Sequence, residues 1–253
     1  GQVKSLSVSL SVPFSENSVE KFYLEYFMEG IKFEADKNNC VISSGHSYQS
    51  QEPGITLTLN GEIASNVSKD SAKKGDLIYL SKPLGTGYLI AAYFNNSEIL
   101  SGCDFEKILN NLKKENLFAV NSAIDSGSQT MTDISGFGLS SHLIDICLSS
   151  NLSSELTLSH EILINSNTDL LKMFQSTGFK NNYESSREYI KISLNHPLKN
   201  ILFDPQTNGP MLIAINKENQ KKFENYFINK PDIKPILIGR FIDKLDKAIY
   251  VKD

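Results

Sequence analysis

The chain has 253 residues, with 25 basic and 29 acidic side chains for a formal net charge of −4, and 40% of its residues are hydrophobic. That length suits one large domain or two modest ones, and the apolar content can bury a core, which excludes wholesale disorder. With 15 Gly and 8 Pro it is not collagen-like, no run approaches the roughly eighteen apolar residues of a membrane span, and no basic-then-apolar leader opens it. These features predict a soluble, cytoplasmic protein. The basic residues form no clustered runs, which argues against a phosphate-neutralising nucleic-acid surface. Cys40, Cys103 and Cys147 are odd in number and lack CxxC spacing, so they read as reduced, buried structural thiols.

Taken in chain order, Val3 to Val12 alternates apolar and small polar side chains, the period of a strand with one buried face, and Pro13 ends it. Asn17 with Glu20 forms a helix-opening box, and Val19, Phe22, Tyr23, Tyr26, Phe27 and Ile31 follow at helical spacing as an aromatic face for that strand. Cys40-Val41-Ile42 reads as a short strand running into a loop over residues 43–47, and residues 55–59 read as another strand. Residues 1–63 therefore spell β-α-β-β. Polar residues between 63 and 74 mark a domain boundary. Beyond it come a strand at 76–80, a helix from Tyr88, a helix over 105–124 and a strand at 130–133. A helix follows, carrying Leu139, Leu143, Ile144 and Cys147. Strands near Leu156, at 211–215, 235–242 and 249–251 then alternate with helices near 169–174 and 217–227. The pattern is α+β or mixed α/β.

Four stretches carry chemistry. In Thr132-Asp133-Ile134-Ser135-Gly136-Phe137-Gly138, a carboxylate ends a strand beside a helix start rich in Ser and Gly. The carboxylate suits a hard cation such as Mg2+, and the helix-start N–H groups suit phosphate oxygens. The alternative is an ordinary capped start, with Asp133 or Ser135 as the N-cap. Lys82-Pro83-Leu84-Gly85-Thr86-Gly87 is a strand-to-helix turn that matches neither GxxxxGK[ST] nor GxGxxG. Lys82 there reads as a solvated loop lysine or, alternatively, a phosphate contact. Ser43-Ser44-Gly45-His46-Ser47 offers little bulk and one imidazole to a triphosphate, the alternative being a turn with a surface His. Residues 202–210, dense in Asp-Pro, Asn-Gly and Gly-Pro breakers, form a structural corner in which Asp204 could orient a ligand-binding group. His142, His160 and His196 lack zinc spacing.

Together these stretches, with Glu52-Pro53 and Gly178-Phe179-Lys180-Asn181-Asn182, resemble in order and rough spacing the selenophosphate synthetase family, also called selenide, water dikinase. Its phrases read GGHSI…EP, KPLGTG, TDVTGFGLLGH, GGTRRN and LFDPQTSGG. The resemblance implies an α+β, PurM-like two-domain architecture within the AIR-synthetase superfamily. Residues 1–64 would be the remaining part of an N-terminal ATP-binding α/β domain, and residues 65–253 a complete C-terminal α+β domain. It further implies ATP-dependent conversion of selenide to selenophosphate, with AMP and phosphate as the other products. Mg2+ is the implied cofactor and a homodimer the implied assembly, with small-molecule substrates and neither nucleic acid nor membrane as partner.

By the same resemblance, Asp133 matches the magnesium-binding Asp of the second domain, and Ser44, Gly45 and His46 match the nucleotide segment that the family shares with the dimer partner. Ser44 replaces a Gly, Gln49 stands where Asp is common, and Asn208 and Pro210 interrupt the SGG ending. The family's reactive Cys or selenocysteine, its Lys and its remaining metal-binding Asp residues match nothing in the chain. The expectation is a C-terminal portion that is inactive by itself. The alternative is a non-catalytic nucleotide-binding or dimerisation module of the same superfamily.

Overall fold

In the computed structural model, which describes residues 1–63, 65–230 and 233–252, the opening alternation becomes strand β1 (Gln2–Pro13). Leu6, Val8 and Leu10 are buried on one face, each worth about 1.5–3 kcal/mol of apolar burial. Helix α1 (Asn17–Lys37) returns the chain so that β2 (Val41–Ser50) pairs parallel with β1, and β3 (Gly54–Glu62) pairs antiparallel on the other side. The sheet order is β2-β1-β3, a β-α-β crossover with an added antiparallel strand. The small core under α1 contains Leu6, Val8, Leu10, Ile31, Ala35 and Cys40, with Leu24, Phe27 and Met28 partly buried against it.

Three expectations for this region are corrected. Glu16 stands at the N-cap of α1 with no side-chain cap bond, so Asn17 and Glu20 form no box. The aromatic face is only partly inward: Phe22 and Tyr26 are exposed, while Phe27 and Ile31 of that face join Leu24, Met28 and Ala35 in the stripe that meets β1. Residues 43–47 are not a loop. They continue β2, since Ser7 to Leu10 pair with Ser44 to Ser47 along the parallel ladder.

The chain divides into two units, Gly1–Asn66 and Val67–Asp253; the break expected after residue 64 involves a residue outside the described ones. The second unit opens with β4 (Leu77–Leu80), α2 (Thr86–Asn95), α3 (Gly102–Lys113), α4 (Leu117–Asp125), β5 (Thr130–Asp133) and α5 (Gly138–Ser149). It continues through β6 (Leu152–Leu156), α6 (Thr168–Met173), α7 (Phe179–Ser186), β7 (Ile190–Lys191) and β8 (Met211–Ile215). It closes with α8 (Gln220–Asn225), β9 (Ile236–Asp243) and β10 (Ile249–Val251). The sheet runs β5-β8-β4-β9-β6-β10-β7. Central strand β4 is buried throughout, so its alternation serves two layers. Ile78 and Leu80 join the larger core with Tyr88 and Leu89 of α2 and Leu139 and Leu143 of α5. Leu77 and Tyr79 join the smaller one with Ala119, Ala123, Phe223 and Phe227.

The single helix expected over 105–124 is two helices. α3 begins at a Ser101–Asp104 capping box and ends where Lys114 turns extended, and Asn116 starts α4. The break is held from outside: Ser81 donates to Asn116 Oδ1 at 2.7 Å and Asn116 Nδ2 donates to the Gly209 carbonyl at 2.9 Å. Among the described residues no helix is long and apolar enough to cross a membrane. Cys40 and Cys147 are buried free thiols, whereas Cys103 is exposed at the start of α3, which corrects the expectation that all three are buried.

Candidate functional site

Strand β5 delivers Asp133 to the edge of the second unit's sheet, and the chain turns over residues 134–137 before α5 begins. Asp133 is exposed, and among the described residues its carboxylate makes no hydrogen bond or ion pair. The backbone beneath it is held from several directions. The Ile134 N–H donates to the Pro210 carbonyl at 2.9 Å, and the Gln206 N–H donates to the Ser135 carbonyl at 3.0 Å. The Asn182 amide donates to the Gly136 carbonyl at 2.9 Å. The Ser135 N–H and hydroxyl both lie 3.3 Å from His142 Nε2. An N–H donating to Nε2 leaves the imidazole hydrogen on Nδ1, which is buried without a partner. Burial, then the charge of Lys69, holds the His142 pKa below its ordinary value, with Asp133 and Asp145 pulling the other way.

Two glycines permit this closeness. Gly138 sits at φ +73°, and a Cβ there would lie 3.0 Å from the Leu202 carbonyl oxygen. A Cβ on Gly209 would lie 2.1 Å from the Ile134 carbonyl oxygen, so the 202–210 loop packs directly on the Asp133 turn. Phe137, two-thirds exposed at 67%, occupies the N-cap of α5 and no side chain caps that helix. Neither Asp133 nor Ser135 is the cap, contrary to the simpler expectation.

The 202–210 loop reaches a second helix start on its other side. Gln206 Oε1 accepts from the Gly85 N–H at 2.9 Å, the Thr86 N–H at 3.2 Å and the Thr86 hydroxyl at 3.2 Å. Asp204 Oδ2 accepts from the Gly87 N–H at 3.2 Å and from Gln206 Nε2 at 2.8 Å. These are the orphan donors of the first turn of α2, which has no acidic residue of its own. Asp204 is fully buried, its Oδ1 has no partner, and burial pushes its pKa up to about 7 against those hydrogen bonds. The glycine-rich turn at 85–87 is therefore already occupied by protein, and Asp204 acts as a helix cap rather than a ligand-orienting group.

Lys82 is neither solvated nor available to a phosphate. It is 1% exposed, and its Nζ donates to the carbonyls of Asn111 at 3.0 Å and Lys114 at 2.7 Å. Burial, then the charge of Lys114, lowers its pKa to about 8. It binds the carboxyl end of α3, a favourable place for a cation.

Ser44, Gly45 and His46 belong to the first unit. They lie exposed on β2 and line a cleft of about 490 Å3 whose floor includes Val8, Leu10, Leu24 and Met28. Ser44 Oγ and Ser7 Oγ lie 2.7 Å apart, and the His46 ring stacks near Tyr48 with centroids 6.2 Å apart. Asp133 is in the other unit.

A hard cation fits Asp133 as one contribution to its shell. The carboxylate is free and rigidly based, while no group of three His, Cys, Asp or Glu residues among the described ones completes a metal site. Mg2+ commonly takes one or two carboxylates, water and substrate phosphates, and one carboxylate of that kind is present.

Residues 73–252 match the family described as AIR synthase related protein, C-terminal domain. The chain belongs to that family. Among curated proteins it is similar to a selenide, water dikinase of Shewanella sp. (strain MR-7) and to that of Shewanella baltica (strain OS155), 33% identical to each over 202 residues. The match covers 79% of this chain and 56% of each relative, so the chain spans about half the length of the curated relatives it matches. Among solved structures, the thiamine monophosphate kinase of Aquifex aeolicus aligns with a TM-score of 0.67 at 20% identity, over 100% of this chain and 74% of that one. The hydrogenase maturation protein HypE of E. coli aligns with a TM-score of 0.70 at 13% identity, over 99% and 71%. These likenesses give the AIR synthase related chain its fold, mixed α+β of the PurM-like type.

Sequence reasoning found the site's stretches but missed three side chains that join them: Gln206, Asn182 and His142 as a tether. For Gln206 the available signal was a helix start near residues 86–88 with no acid in its first turn, which requires acceptors from elsewhere in the chain; no local pattern marks Asn182 or His142 as tethers.

Proposed function

We propose that the chain is the C-terminal portion of a selenide, water dikinase, which makes selenophosphate from selenide, ATP and water and releases AMP and phosphate. The observation that carries this reading is the free carboxylate of Asp133 on a turn held by the other stretches of the family pattern. The 33% identity to dikinases over 202 residues supports it. Asp133 would hold Mg2+, which supplies positive charge against the phosphate oxygens when bound. Ser44, Gly45 and His46 would lie along the nucleotide, their small side chains leaving room for phosphates and the imidazole donating to one of them. The whole enzyme would act as a cytoplasmic homodimer. Residues 1–64 would complete an ATP-binding domain together with a segment that supplies the nucleophile, and residues 65–253 would be the C-terminal domain.

The test is selenide-dependent AMP release from ATP, with selenophosphate followed by phosphorus NMR. Chain 1–253 alone is expected to give little or none, and family-like turnover by it would contradict the assignment of the nucleophile elsewhere. In the whole enzyme, Asp133→Ala is expected to lower turnover at least about a hundredfold with the fold intact. An unchanged rate with ordinary magnesium dependence would overturn the reading. A second reading is a nucleotide-binding module of the same superfamily without catalysis. It predicts ATP binding without AMP release in the whole protein.

A further inference from the structure

We propose that Asn182 is a positioning residue for the Asp133 carboxylate; the proposal rests on the reading of Asp133 as a cation ligand. Asn182 lies in α7 and is buried, 5% exposed. Its Nδ2 donates both hydrogens, one to the Gly136 carbonyl at 2.9 Å and one to the Phe203 carbonyl at 3.0 Å. One amide therefore bridges the turn that follows Asp133 to the loop that caps α2.

The turn is built so that this bridge matters. Gly136 is exposed, and a Cβ there would meet nothing within 4 Å, so side-chain packing does not restrain that peptide. A glycine with open surroundings has the widest backbone freedom of any residue. The Asn182 bond supplies a restraint where sterics supply none. On the strand side, Ile134 N–H to Pro210 and Gln206 N–H to Ser135 fix the two residues after Asp133. With Asn182 in place the turn is pinned on three successive residues, and the carboxylate projects from a fixed base. Groups hydrogen-bonded to a metal ligand govern metal affinity roughly tenfold to a hundredfold; Asn182 acts one step further back, on the backbone of the turn, so an effect at the low end of that range is expected. Replacing the amide leaves two carbonyls without their donor and lets the Gly136 peptide rotate.

The experiment uses Mn2+ as a paramagnetic probe on the full chain, reading line broadening of the amide signals of residues 133–138 by NMR. In the wild type, broadening centred on these amides is expected. Asp133→Asn is expected to abolish it. Broadening that survives Asp133→Asn, or that never appears in the wild type, removes the cation reading and with it the role of Asn182. Asn182→Leu is expected to raise the Mn2+ concentration needed for half-broadening by on the order of tenfold, with amide shifts distant from residues 133–138 and 202–206 unchanged. Asn182→Ala removes the NH2 donor without adding a charge or a new acceptor, and it serves where the Leu variant fails to fold. The same loss is expected from it. Broadening at the wild-type Mn2+ concentration in the folded Asn182 variants, with Asp133→Asn silent, would overturn the proposal while leaving the cation reading standing.

Discussion

The two candidate ligand segments are built in opposite ways. Ser44, Gly45 and His46 sit on an exposed strand whose backbone is held by the ladder to β1, and few side chains support them. The Asp133 turn has scarcely any regular structure, yet it is tethered by His142, Asn182, Gln206 and the 202–210 backbone. Ladder bonds are indifferent to side-chain identity, so a segment on a strand tolerates substitution. A turn held by specific buried side chains does not, because no neighbouring ladder replaces a partner that is lost.

The contrast breaks most sharply at Asp204. Asp204→Ala would take the acceptor from the Gly87 N–H and leave Gln206 Nε2 with the Asp204 backbone carbonyl as its remaining partner. A loss of about 2–4 kcal/mol in urea unfolding is expected, and a loss under 0.5 kcal/mol would mean the cap is not formed. A second measure is pH. The folded Asp204 pKa of about 7 lies above its ordinary 3.8, so between those values the folded chain holds a proton that the unfolded chain has released. That contribution to stability is fully present below about pH 4 and is lost as the pH rises through 7. Asp204→Asn removes it. The stability of the wild type relative to this variant is therefore expected to fall between pH 5 and pH 8, by on the order of 1–3 kcal/mol, and a constant difference in urea midpoints would refute the assignment. The smallest effect is expected on β2. A Cβ at Gly45 would lie 3.4 Å from the Val8 carbonyl oxygen, at an ordinary strand φ, so Gly45→Ala is expected to change stability by no more than about 0.5 kcal/mol. A larger loss would show that β2 is as tightly constrained as the turn.

What the sequence made legible follows the same division. Alternation over Val3–Val12 and the apolar run at 211–215 are local signals, and both became strands. The apolar spacing of Ile108, Leu112, Leu117 and Val120 suggested one helix, but the break at Lys114 depends on Lys82 and Asn116 reaching partners far along the chain. Residues 43–47 carry no apolar period, so their strand character, imposed by pairing with β1, left no trace in the local pattern. Lys82 looked like any loop lysine because only the packing of α3 over it makes its burial visible. The family stretches were recognisable one by one. That four of them close on each other, with Gln206 and Asn182 as the joints, is a fact of three dimensions.

The distant cap on α2 has a consequence for the growing chain. The N–H groups of Gly85, Thr86 and Gly87 receive their acceptors from residues 204 and 206, which are translated more than a hundred residues later. At ordinary ribosomal rates of about 5–20 residues per second, that gap lasts on the order of ten seconds. Through that interval the first turn of α2 has only water to satisfy it, although its apolar body is already made. Residues 204 and 206 thus finish a helix that begins at Thr86, so a ribosome that stalled between them would leave the start of that helix frayed.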